Sequence, residues 1–158
     1  MPQPALAIAN RILDSAQERG ISLTNMQLIK LIYISHGWSL ALLGKPLVDE
    51  QPQAWQHGPV YRTVYHAFRE SGSRPVGEKA LHPFSGTEWV ADLEEDEQAI
   101  VDQVVEAYGR HHAFSLSART HQVGTPWHQV WNDGRGKYRP IPNDLIKSHF
   151  DDLNARNS

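Results

Sequence analysis

The sequence predicts a mainly α-helical fold: a compact single domain of five to six helices around a buried central helix, with a small extended or β element. Three observations lead there. Residues 24–43 are apolar nearly all round a helical axis, the pattern of a helix enclosed by others. Further segments carry apolar residues at spacings of three and four between Gly and Pro breakers, with no internal repeat. The composition, 40% hydrophobic and 21% charged over 158 residues, is that of one ordinary domain able to bury roughly 70% of its unfolded surface. The expected domain spans 1–158, with its core over about 4–153.

The elements follow from local signals. Ile8, Ile12, Leu13 and Ala16 share one side of a first helix from Pro4 to Arg19, stopped by Gly20. Thr24 and Gln27 make a capping box for the second, which runs to Leu43 before Gly44 and Pro46. Leu47 to Trp55, interrupted by Pro52, reads as extended chain with one edge strand. Pro59 suits the first turn of a third helix, in which Val60, Tyr61, Val64, Tyr65 and Phe68 form a stripe ended by Gly72. Ser73 to Ala91 reads as a long loop with at most a small hairpin. Acids from Asp92 to Glu97 open a fourth helix with a stripe from Ala99 to Tyr108, ended by Gly109. A short helix over Ser115 to Gln122, another capped by Thr125 and opened by Pro126, and a last one from Asn143 or Asp144 to about Leu153 complete the chain, whose tail is expected to fray.

Composition narrows the function classes. No cysteine is present, which removes disulfides, thiolate metal sites and cysteine nucleophiles and fits a cytoplasmic protein. The N-terminus has no signal-peptide pattern, and no apolar run approaches the ~20 residues of a membrane span. A formal charge of −3 gives no overall attraction for phosphate backbones, so neither membrane nor nucleic acid is the expected partner. Charge is uneven all the same: Asp92 to Glu106 holds seven acids and no base, either a solvated helix face or an acidic docking surface for a basic partner.

Candidate chemistry is sparse. Among nine histidines, His111, His112, His121 and His128 lie closest in sequence, but no pair has the helical i, i+4 spacing of a zinc motif, and neither metal nor cofactor is expected. No serine sits in a nucleophile elbow and no Gly-rich phosphate loop follows a strand. The nearest to a local cluster is Trp55-Gln56-His57-Gly58-Pro59, where His57 lies beside an expected helix N-terminus that could hold an anion. Helices one and two around Gly20 mimic a helix-turn-helix, but the second offers Lys30 alone among apolar residues where a recognition helix needs polar and basic ones. Five Trp and five Tyr supply the large rigid side chains in which binding energy concentrates, though each taken singly reads as core before interface.

Two stretches carry a specific resemblance. Leu23-Thr24-Asn25 with Lys30-Leu31-Ile32-Tyr33, then Ala54-Trp55 with Gly58-Pro59-Val60, Tyr61 and Tyr65, and downstream Tyr108-Gly109, His121 and Thr125-Pro126-Trp127, resemble the Panacea antitoxin domain. That family includes SocA-like proteolytic adaptors and GepA-like phage-associated proteins. The likeness spans almost the whole chain and is weakest over Ser73 to Ala91. It implies an antitoxin, encoded beside a toxin, that neutralises it by direct protein binding, or an adaptor that delivers the bound toxin to a ClpXP-type protease. It implies no catalytic residue; an enzyme reversing a toxin product through a His57 pocket is the alternative of another class. The residues carried over as partner-binding or family-motif positions are Lys30, Tyr33, Trp55, His57, Gly58, Pro59, Val60, Tyr61, Tyr65 and Trp127. Because one scaffold would serve many toxins, the motifs are expected to build the fold, and the divergent loop 73–91 and exposed helix faces to choose the partner.

Overall fold

A computed structural model describes residues 1–156, apart from the side chain of Phe114; residues 157–158 of the expected domain, and the fraying expected there, lie outside the described residues. Among the described residues there are seven α-helices: α1 (Ala5–Glu18), α2 (Asn25–Leu43), α3 (Arg62–Ala67), α4 (Glu95–Tyr108), α5 (Ala113–Thr120), α6 (Pro126–Trp131) and α7 (Asn143–Arg156). A hairpin of β1 (Gln53–Trp55) and β2 (Gly58–Val60) lies between α2 and α3.

The central helix is the one its all-round apolarity marks. Residues 28–37 of α2 are buried without a break, and α1, α3, α4, α5 and α7 all pack on it. Its start is held by the capping box: the Gln27 N–H donates to Thr24 Oγ1 at 3.2 Å and the Thr24 N–H to Gln27 Oε1 at 2.8 Å. Gly44, at φ 69°, ends it in the left-handed conformation. The approach of α7 is close because Gly37 has no side chain; a Cβ there would lie 2.2 Å from the Phe150 ring. His36, fully buried on the same helix, ties down the next segment. Its Nδ1 accepts the N–H groups of Leu47 and Val48, both at 3.2 Å, so its proton resides on Nε2 and is donated to Asn143 Oδ1 of α7 at 2.9 Å. Burial lowers the pKa of this ring, partly countered by the Asn143 hydrogen bond.

Part of the acidic run anchors α4 in the fold. Glu94 and Glu97 form the capping box of α4, Asp102 takes Arg11 Nη2 and Ser15 Oγ of α1 at 2.9 and 2.8 Å, and Glu106 takes Arg19 Nε at 3.0 Å. Lys45, just past α2, lies 3.6 Å from Glu94 and 4.0 Å from Asp96. These contacts dock α4 against α1 and the end of α2, while Asp92, Glu94, Glu95, Asp96 and Glu106 stay exposed to solvent.

Three sequence expectations need correction. Pro59 does not open a helix; it is the middle residue of β2, opposite Ala54, and α3 starts only at Arg62, with a 3-10 turn over Arg69–Ser71 in place of its expected last turn. The physical reason is register. Ala54 turns both its polar groups away from Pro59, its N–H donating to Arg139 O at 2.9 Å and its carbonyl accepting from Tyr138 N at 2.8 Å, so the missing proline N–H is not wanted. Residues 138–141 thus run along the far side of β1, which is paired on both edges and is not the edge strand expected. His57 accordingly sits in a hairpin turn and not beside a helix N-terminus.

Candidate functional site

The motif residues meet where α2, the β1–β2 hairpin and α5 touch. At the centre is Lys30, with no exposed surface at all. Its Nζ donates to the Pro59 carbonyl at 2.6 Å, the edge of β2 that no strand covers. Gly58, at φ 114°, lets the backbone pass this amine: a Cβ there would stand 2.9 Å from Lys30 Nζ and 3.1 Å from Thr120 Oγ1. Among the described residues no carboxylate is paired with the amine, and burial pushes its pKa down to about 7. The lysine carried by α2 is therefore a buried strut from the central helix to the hairpin.

α5 closes the hairpin turn from the other side. Ser117 Oγ donates to the His57 carbonyl, so its contact with His121 Nδ1 at 3.1 Å must have the imidazole as donor. A serine whose proton is given to a backbone carbonyl, beside a histidine that is itself the donor, is not set up as a nucleophile and base. The pKa of His121 is lowered by burial and by the nearby Lys30 charge. Trp127, at the start of α6, donates from Nε1 to the Trp55 carbonyl at 2.6 Å and stacks on Trp131 with ring centres 5.3 Å apart. Thr125 caps α6 and Pro126 opens it, which aims Trp127 at the hairpin.

Outside this buried knot lies a shallow cleft of about 200 Å³, lined by Met26, Trp55, Gln56, His57, Val60, Lys137 and Tyr138. The Trp55 ring meets Tyr65 edge-on at 4.9 Å and Tyr138 at 5.6 Å, and Lys137 Nζ lies 5.1 Å from the Tyr138 ring centre. Tyr138 holds a φ of 69°, unusual for a non-glycine, on an exposed ring.

The structure brings all ten motif positions into one region but not onto one surface. Lys30, Tyr33, Gly58, Pro59, Val60, Tyr61 and Trp127 are buried; Trp55 and Tyr65 are half-buried; His57 is exposed. Tyr33 and Tyr61 bury their hydroxyls with no hydrogen-bond partner among the described residues, and burial raises both pKa values. Contributors that sequence reasoning did not single out as site residues are Ser117, Thr120 and Tyr138. Their signal is weak because each depends on a contact made across the fold. Among the described residues no group of three His, Asp or Glu side chains is placed to hold a metal ion, and no helix is long and apolar enough to cross a membrane.

Fold and site together define a helical scaffold whose shared motif is a buried structural knot with a small aromatic cleft over it. The family described as antitoxin SocA-like, Panacea domain, matches residues 28–128, which run from the central helix into the first turn of α6. Antitoxin SocA of Caulobacter vibrioides (strain NA1000 / CB15N) is 33% identical over 132 residues, covering 81% of this chain and 70% of that protein. This chain belongs to the SocA-like Panacea antitoxin family. No solved structure matches it.

Proposed function

We propose that this protein neutralises a cognate protein toxin by binding it directly, without chemistry. The observation that carries the reading is the 33% identity with an antitoxin over most of both chains. The site supports it in two ways. Seven of the ten motif positions lie inside the fold, where they can shape a platform and not a reaction centre, and the Ser117 to His121 contact has its protons directed away from nucleophilic use. The reading places the protein in the cytoplasm with its toxin as partner, and with no cofactor.

A nanomolar complex requires about −12 kcal/mol, which an interface of roughly 1,600 Å² supplies when a few aromatic or Arg side chains anchor it. The purified chain and the protein encoded beside it are expected to co-elute as one species at micromolar concentration; separate elution would refute direct neutralisation. In cells, toxin levels that stay constant during rescue would fit occlusion. Rescue that disappears when a ClpXP-type protease is deleted would assign the chain to the adaptor role instead. Protection lost in His57→Ala while toxin binding survives would assign it to the catalytic one.

A further inference from the structure

The long loop between α3 and α4 is better built than a linker requires. Asn10 of α1, itself buried, clamps both legs of it: its Oδ1 accepts the Ala80 N–H at 2.8 Å, and its Nδ2 donates to the carbonyls of Ala80 and Trp89, both at 2.9 Å. Lys79 pairs with Asp14 of α1 and lies 3.6 Å from Glu88 on the opposite leg. Above this base Leu81 pairs with Glu88, the His82 N–H donates to the Thr87 carbonyl at 2.8 Å, and the His82 ring stacks on Trp89 at 3.8 Å. Gly86, at φ 72°, turns the tip and donates its N–H back to the His82 carbonyl at 3.0 Å. At the end of this support Phe84 is completely exposed, at 102% of its reference area, with Leu81 half-exposed below it.

We propose that the 81–88 hairpin is a preformed recognition knob and that Phe84 inserts into an apolar, uncharged pocket on the toxin. The inference rests on the toxin-binding reading above and adds which element meets the partner and what the partner must offer. Residues 80–87 hold no Asp, Glu, Lys or Arg in a chain that is 21% charged. Charge is depleted at the centres of protein interfaces and aromatic side chains are enriched there. Lipid and nucleic acid fit the same surface poorly, since each would call for Lys or Arg beside the ring, and the one lysine at the base is committed to Asp14 and Glu88. A clamped loop also has little conformational freedom left to lose on binding, so more of the ring's burial appears as affinity.

The test measures the affinity of the full chain for the protein encoded by the adjacent gene, by titration calorimetry, beside Phe84→Ala, Phe84→Leu and the control Val123→Ala on a separate exposed loop. The Phe84 ring packs on nothing, so Phe84→Ala is expected to melt at the temperature of the unsubstituted chain. Its Kd should rise at least tenfold, Phe84→Leu should recover part of the loss, and Val123→Ala should bind as the unsubstituted chain does. Binding of Phe84→Ala within twofold of the unsubstituted chain overturns the proposal while leaving the toxin reading intact. A Kd that is unchanged while Phe84→Ala turns a dimer into a monomer also overturns it, in favour of contact between two copies. Failure of the unsubstituted chain to bind sinks the toxin reading and the knob with it.

Discussion

Replacing Lys30 by methionine keeps the length of an unbranched side chain and removes the buried amine, and the consequence is a change in how stability depends on pH. The Lys30 pKa falls from 10.5 in the unfolded chain to about 7 in the folded one. A gap of about 3.5 pH units is worth roughly 5 kcal/mol between the two protonation states. The sign follows from proton counts. Below pH 7 the amine is charged in both states and the burial cost is fully present. Between pH 7 and 10.5 the folded chain has released a proton that the unfolded chain keeps, so stability climbs with pH. From pH 7 to pH 9 the climb amounts to about 2 kcal/mol, a shift of about 1 M in the urea midpoint of a chain this size. Urea unfolding at pH 7, 8 and 9 should show that rise for the unsubstituted protein and a flatter profile for Lys30→Met, which at pH 7 should also be at least as stable despite the Pro59 carbonyl losing its partner. Burial raises the pKa values of Tyr33 and Tyr61 and lowers that of His121, so these groups act outside this window; His121, which the Lys30 charge also lowers, changes with the substitution but acts below pH 7. Parallel profiles for the two proteins would show that Lys30 is not held in the dry environment described, and the strut would lose its basis.

Three other outcomes are expected. Gly58→Ala should cost about 2 kcal/mol or more in chemical denaturation, since it adds strain at φ 114° and sets a methyl 2.9 Å from Lys30 Nζ; an unchanged midpoint would mean that the hairpin can move off α2. Asn10→Ala removes three hydrogen bonds to the loop and should destabilise by about 2 kcal/mol or more, with amide exchange quickening chiefly over residues 79–90; protection unchanged there would contradict the clamp. Nitrogen NMR should find His36 as the Nε2–H tautomer, titrating below an ordinary histidine. A pKa held below the unfolded value means that the unfolded chain takes up the proton first, so its share of stability is present above about pH 6.5 and declines as the pH falls; a ring that titrates normally would contradict its burial.

The helices were legible where the signal is local. The Thr24 and Gln27 box, the Thr125 cap with Pro126, and the boundaries of α1 and α2 depend on residues within a few positions of one another, and all appear as expected. Pro59 shows where local reading stops. A proline is tolerated at a helix start and at a strand position facing no acceptor for the same reason, its absent N–H, and the deciding partner is residues 138–140, far along the chain. The Asn10 clamp joins residues seventy and more positions apart, so the sequence reads there only as a long loop with at most a small hairpin. Lys30 was read by its residue type, as the one lysine or arginine on a greasy helix, and its complete burial depends on the hairpin and α5 closing over it. Local reading could not separate anchoring acids from solvated ones in the acidic run, because Arg11 and Arg19, which take Asp102 and Glu106, lie some ninety positions away in and just past α1.

The central claim, that protection comes from occupancy and not turnover, is tested most directly by titrating a fixed amount of active toxin with this protein and following toxin activity. Neutralisation by binding predicts a straight decline that reaches zero at a small whole-number molar ratio. Full protection from a hundredth of an equivalent would contradict it.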